Sequence, residues 1–158
     1  MRLSEDEALF HSLFPGLRRF ATVVAPSGSD PDDLLQEALV RTLAKSALTE
    51  LEDPARYLQL VMVRLSSNER RRRAREGSAM LRLPADRATV ILEEGVTTSE
   101  LLEELQPRDR AVLYLSIVEG HEASRVASRL EMTVAAVRMA KSRALSQLRM
   151  TNEGADDV

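Results

Sequence analysis

Two Asp-Pro pairs, Asp30-Pro31 and Asp53-Pro54, do most to limit what this chain can fold into. A short acidic side chain followed by proline is a strong helix start. The carboxylate accepts hydrogen bonds from first-turn amides, and the N–H that proline lacks would have had no intrahelical partner anyway. After the first pair, Leu34, Leu35, Ala38, Leu39, Thr42 and Leu43 recur at helical spacing, with Gln36, Glu37, Arg41 and Lys45 on the other side. After the second, Leu58, Val61, Met62 and Leu65 are expected to point inward, in a helix that runs to about Arg75 and ends at Gly77. The aromatics are few (Phe10, Phe14, Phe20, Tyr57 and Tyr114), and aliphatic side chains carry nearly all the apolar content. Strands favour β-branched and aromatic residues, so this profile predicts an all-α fold of two small helical domains.

The remaining elements follow from turn residues. An opening helix is expected from about Glu5 to Phe14, broken by Pro15-Gly16, with a second short helix over Leu17–Val24. From Gly77 to about Thr98 there is no sustained period; this reads as a linker with a brief ordered turn near Ala88 to Leu92. A second unit begins near Ser99 with Leu101, Leu102 and Leu105. Pro107 then starts a helix that carries Ala111, Val112, Leu115 and Val118 and ends at Gly120. Two helices follow, over about 122–130 and 134–149, and the last residues read as a frayed acidic tail. The expected domains are therefore 1–76, a linker over 77–97, 98–150, and a tail over 151–158.

Several function classes drop out. There is no cysteine, and the two histidines, His11 and His121, stand far apart without a partner motif. Disulfide scaffolding and thiol chemistry are excluded, and a zinc site is not expected. No phosphate-cradling glycine loop, nucleophile elbow or metal-binding His/Glu motif is present, so neither a cofactor nor an enzymatic activity is expected. No apolar run has the length of a signal peptide or a membrane span, and a cytoplasmic location is the expectation.

The net charge of −3 argues at first against a nucleic-acid partner. The distribution of that charge points the other way. The first third is acidic, but Glu69 is followed by Arg70, Arg71, Arg72, Arg73 and Arg75, and the stretch from Arg110 to Arg149 is basic again. Local patches, not the total, set a contact. Consecutive arginines spread round a helix, and Arg64, Asn68, Arg71 and Arg75 form one stripe. Near the start of that helix Tyr57 is the sole aromatic placed to stack on an unpaired base, though a core tyrosine with a bonded hydroxyl is the blander alternative.

The strongest pattern lies near the end. Ala123, Val126, Ala127 and Leu130 form one apolar stripe, Glu131-Met132 a short turn, and Thr133 a cap. Val137, Ala140, Ala144 and Leu148 give the next helix its buried face. Helix, tight turn and capped helix is the helix-turn-helix layout, whose second helix enters the major groove. Arg138, Lys141, Ser142 and Arg143 then lie off the core face, able to reach bases and phosphates. An ordinary helical hairpin with solvated charges shares this spacing.

Taken together and in order, two segments resemble the extracytoplasmic-function group of bacterial RNA polymerase sigma factors. The stretch from Asp30 to Leu43, with that from Asp53 through Tyr57 to the arginine run, resembles sigma region 2; Leu105 to Leu145 resembles region 4. The resemblance implies that Asp33, Leu34, Gln36, Glu37 and Arg41 contact the β′ clamp of core polymerase. It assigns Tyr57, Arg64, Asn68, Arg70, Arg71, Arg72 and Arg73 to the melted minus-ten strand. It assigns Thr133, Arg138, Lys141, Ser142 and Arg143 to the minus-thirty-five duplex, and the apolar surface near Leu113 and Ile117 to the β flap. An anti-sigma factor is an implied regulator. Some positions depart from the pattern. Arg64 stands where Asn is frequent, Glu122 where a capping Ser is common, and Lys141 where Leu is usual, so that either its stem snorkels or Ala140 turns inward. Glu131 replaces the turn glycine, at a cost of about 1–2 kcal/mol if its backbone is left-handed. Two rivals are a sigma-like decoy that binds an anti-sigma factor without DNA, and a self-sufficient helix-turn-helix regulator that binds a palindrome as a dimer.

Overall fold

The structure, a computed structural model, describes residues 2–77 and 104–156. The chain divides into two compact units, Met1–Ala85 and Asp86–Val158. Every regular element among the described residues is helical, as the composition predicts. The expected linker beyond Gly77 and the helix start at Ser99, with Leu101 and Leu102, lie outside the described residues.

In the first unit α1 (Arg2–Val24), α2 (Pro31–Leu43) and α3 (Pro54–Glu76) pack pairwise against one another. Both Asp-Pro starts form as expected. Asp32 N–H donates to Asp30 Oδ1 at 2.9 Å, and Arg56 N–H to Asp53 Oδ1 at 2.9 Å. The core joins Leu17, Phe20, Ala21 and Val24 of α1 to Leu35 and Ala38 of α2 and to Leu58, Met62 and Val63 of α3. Leu48, in a 3-10 turn over Leu48–Glu50, is buried in the same unit, and Asp6 of α1 holds that turn by accepting from Thr49 N–H at 2.9 Å.

Pro15-Gly16 does not break the first helix, contrary to expectation: α1 is continuous through it. Proline removes one backbone bond and crowds the preceding turn. The buried residues that follow (Leu17, Phe20, Ala21, Val24) keep helical phase with Asp6 and Leu13 before it, so packing along one face outweighs the local defect. The inward face of α3 is also wider than, and rotated from, the expected Leu58, Val61, Met62, Leu65 stripe. Gln59, Leu60, Val63 and Ser66 are buried, while Val61 and Leu65 are only half-buried. Contact with both α1 and α2 requires a broad arc, which a one-stripe reading misses. In α2, Leu43 points outward instead of inward.

Ion pairs tie the end of α3. Glu69 accepts from Arg72 at 2.8 Å and from Arg73 at 3.0 Å, and Arg72 also reaches Glu76 at 3.0 Å. Arg73 continues to the Ser27 carbonyl and, at 2.9 Å, to Ser29 Oγ, so it braces the loop that leads into α2. Gly77 closes the helix at φ +66°, a left-handed position suited to glycine.

In the second unit α4 (Pro107–Leu113) widens into a π-helical turn over Tyr114–Val118, followed by α5 (Ala123–Leu130) and α6 (Val134–Asp156). The π turn corrects one expectation. Glu119 N–H bonds to Tyr114 O, five residues back, and His121 N–H to Leu115 O, six back. The added residue rotates Val118 out of the core, where it is 42% exposed, while Leu113 is buried with Leu105 and Ala144. The outward apolar pair is thus Ile117 and Val118, not Leu113 and Ile117. The final helix runs to Asp156 where a frayed tail over 151–158 was expected, because Gly154, at about 1 kcal/mol, is a weak breaker within a propagating helix.

The turn between α5 and α6 follows the expected helix, tight turn and capped helix. Glu131 adopts φ +54°, the sole positive φ outside glycine among the described residues. Met132 N–H closes the turn on Ala127 O at 2.9 Å, and Ala136 N–H donates to Thr133 Oγ1 at 3.0 Å. Val126, Ala127 and Leu130 of α5 and Val137, Ala140 and Ala144 of α6 are buried, and the two helices pack against each other. Ala140 takes the inward place beside a half-buried Lys141. Glu122 precedes α5 without any side-chain cap.

This packing makes two outcomes testable. Glu131→Gly relieves a left-handed backbone and should stabilise the second unit by roughly 1 kcal/mol, measured as a higher unfolding midpoint. The Arg72 hydrogen bond, aided by Arg73 and against a smaller effect of burial, holds the Glu69 carboxyl below the ordinary 4.5. A depressed carboxylate stabilises the fold above its unfolded pKa and loses that contribution as pH falls through the folded one. Glu69→Gln should therefore lower the denaturation midpoint at pH 7, and the gap to the natural chain should shrink as pH falls below the ordinary carboxylate range and through the depressed folded pKa.

Candidate nucleic-acid interface

A helix that packs on one side can offer partners only its remaining circumference. On α6 the buried stripe is Val137, Ala140 and Ala144. The residues turned away from it, Ala135 and Ser142 with Arg138 and Met139 to either side, are all exposed. The Thr133 cap fixes where the helix begins, so these four lie on its first two to three turns. That end is the one a helix-turn-helix inserts into the major groove.

The five residues expected at this surface separate by geometry. Arg138 and Ser142 stand on the outward face, and Lys141 is half-buried at its margin. Thr133 is exposed, but its hydroxyl oxygen already serves as the cap. Arg143 is engaged elsewhere: its guanidinium donates to the buried carboxylate of Asp109 on α4, at 3.1 and 3.4 Å. That bond and the Asp109 charge raise the arginine's pKa. Arg143 thus ties α6 to α4, and its side chain, 58% exposed, keeps an outer edge in solvent. Met139 is a member of this face that a search for polar readers misses. Its signal in the sequence is its place, four residues after Ala135 and three before Ser142.

On α3 the predicted stripe is real: Arg64, Asn68, Arg71 and Arg75 are all exposed along one side. Arg71 donates to Asn68 Oδ1 within the stripe. From Arg64 to Arg75 it extends about 16 Å along the axis. Arg70 is half-buried, Arg72 is occupied by Glu69 and Glu76, and Arg73 by Glu69 and the 27–29 loop. Tyr57 is half-buried near the start of the same helix.

The outer side of α2 carries Asp33, Gln36, Glu37 and Arg41, all exposed, with Arg41 paired to Glu37 at 2.6 Å. Leu34 is half-buried. Val40, which sequence pattern alone does not single out, is 63% exposed and with Leu43 puts apolar surface among these polar groups. An apolar patch rimmed by charge is a common form of protein-docking surface. Among the described residues, no cluster of His, Asp or Glu could hold a metal ion, and no helix is long and apolar enough to cross a membrane.

Comparison with known proteins places these surfaces in context. The family described as sigma-70, region 4 matches residues 97–148, which include α5, the turn and α6 as far as Leu148. The RNA polymerase sigma-E factor of Streptomyces avermitilis is 30% identical over 144 residues, covering 89% of this chain and 80% of that protein. The sigma factor RpoE of Bartonella quintana, solved in complex with the anti-sigma factor NepR, shares the fold. Its TM-score is 0.68 at 19% identity, over 93% of this chain and 96% of that one. A two-unit helical chain with a capped helix-turn-helix in one unit, a cationic stripe in the other and a relative matched over most of both lengths belongs to the bacterial RNA polymerase sigma factors of the extracytoplasmic-function group.

Proposed function

We propose that this sigma factor divides promoter recognition between its two units and docks on core polymerase chiefly through α2. The observation that carries the proposal is the coexistence, in one chain, of two outward cationic faces on separate units and an apolar patch rimmed by charge on a third helix. Arg138, Ser142 and Lys141 read the minus-thirty-five duplex, with Arg143 positioning α6 and Thr133 setting its start. Tyr57, Arg64, Asn68 and Arg71 hold the melted minus-ten strand, joined by Arg70 at the margin and by Arg75. Arg72 and Arg73 serve the strand indirectly, by fixing the end of α3 and the loop into α2.

Asp33, Gln36, Glu37, Arg41 and Val40 form the contact with the β′ clamp, with Leu34 at its inner edge. Ile117 and Val118 meet the β flap. The two promoter-binding units belong to one chain, which makes the second contact effectively intramolecular once the first is made. Phosphodiester chemistry belongs to the core enzyme, and the chain works in the cytoplasm without a cofactor. The structural neighbour was solved with an anti-sigma factor, which supports the reading that a similar inhibitor regulates this chain.

Run-off transcription with core polymerase and a promoter library tests the proposal. Promoter-specific transcripts should appear only when the chain is added; tight operator binding without core would instead indicate a stand-alone regulator. Arg138→Ala should weaken upstream-element binding by the holoenzyme about tenfold or more and leave assembly with core intact. Loss of core binding in that variant would contradict the placement of α6.

A further inference from the structure

We infer that Met139 recognises the C5 methyl group of a thymine in the upstream promoter element, and so sets part of the promoter preference. The inference rests on the reading of α6 as the groove-entering helix. Met139 is the sixth residue of α6 and 66% exposed, on the side opposite the buried Val137, Ala140 and Ala144. Its neighbours on that side are Ala135, Arg138 and Ser142, all exposed. A large apolar side chain left mostly in solvent, on an otherwise small or polar surface, gains little from the fold.

The chemistry of the groove narrows what it can meet. The major-groove edges of guanine, cytosine and adenine offer hydrogen-bond donors and acceptors, whereas thymine alone adds a methyl group. A thioether donates no hydrogen bond and accepts only weakly, so polar edges have little to exchange with it. Placed against guanine or cytosine it would desolvate polar atoms without replacing their water partners. Against thymine it buries apolar surface on both sides, and its unbranched chain adapts to the methyl position. Arg138, one residue earlier, can meanwhile hold a neighbouring phosphate or guanine.

The test uses the full chain assembled with core polymerase. A duplex is selected from a randomised pool by the holoenzyme, and each thymine of its upstream element is then replaced singly by uracil, which lacks only the methyl. At one position the replacement should weaken binding by the natural chain roughly three- to tenfold. Met139→Ala should bind the thymine duplex more weakly and show no further loss with uracil, while Met139→Leu should keep the uracil penalty. Unchanged thermal unfolding of both variants serves as the folding control. A uracil penalty equal in the natural chain and Met139→Ala, or absent at every thymine, overturns the inference and leaves the sigma reading standing. Failure to enrich any duplex overturns both.

Discussion

The apolar arc that α3 buries against α1 and α2 decides which of its arginines can act on anything outside the fold. A helix has one circumference. Once Leu58, Gln59, Met62, Val63 and Ser66 are turned inward, Arg64, Asn68, Arg71 and Arg75 must face out. Arg73, seven residues after Ser66, continues the inward face beyond the core, where it reaches the 27–29 loop. The same rule governs α6. Burial of Val137, Ala140 and Ala144 presents Ala135, Arg138, Met139 and Ser142 together, and the Arg143–Asp109 pair stops the helix from turning about its axis. Function in this protein is thus a matter of helix phase, set by the core and displayed on the surface.

Much of that phase is legible in the sequence. The two Asp-Pro starts, the Thr133 cap and the inward residues of α5 and α6 all use local rules, a cap or a period, that need no knowledge of distant neighbours. The left-handed Glu131 is legible only through the family resemblance, which has glycine as the usual residue of that turn. Where local rules meet tertiary packing, they give way. Pro15 has a strong intrinsic tendency to end a helix, yet one buried face continues through it. Val118 falls on the expected apolar stripe of α4 only if every turn is α; a single π turn moves it to solvent.

The site is legible in outline more than in detail. Counting charges locates both cationic helices, but a count cannot tell an arginine that faces a partner from one that holds the fold together. Arg72, Arg73 and Arg143 look like Arg71 and Arg138 in sequence; only the positions of Glu69, Ser29 and Asp109 separate them. Exposed apolar members of an outward face, such as Val40 and Met139, are similarly hidden among core residues until the opposite face is known to be filled.

The claim that helix phase and ion pairing together select the arginines left for a partner is tested most directly by the salt dependence of holoenzyme binding to a single-stranded minus-ten fragment. Each phosphate contact on a single strand contributes about 0.7 to the slope of log affinity against log salt. Arg71→Ala and Arg75→Ala should each lower the slope by about that amount, and Arg72→Ala should leave it unchanged. A slope that falls for Arg72→Ala and holds for the other two would contradict the account.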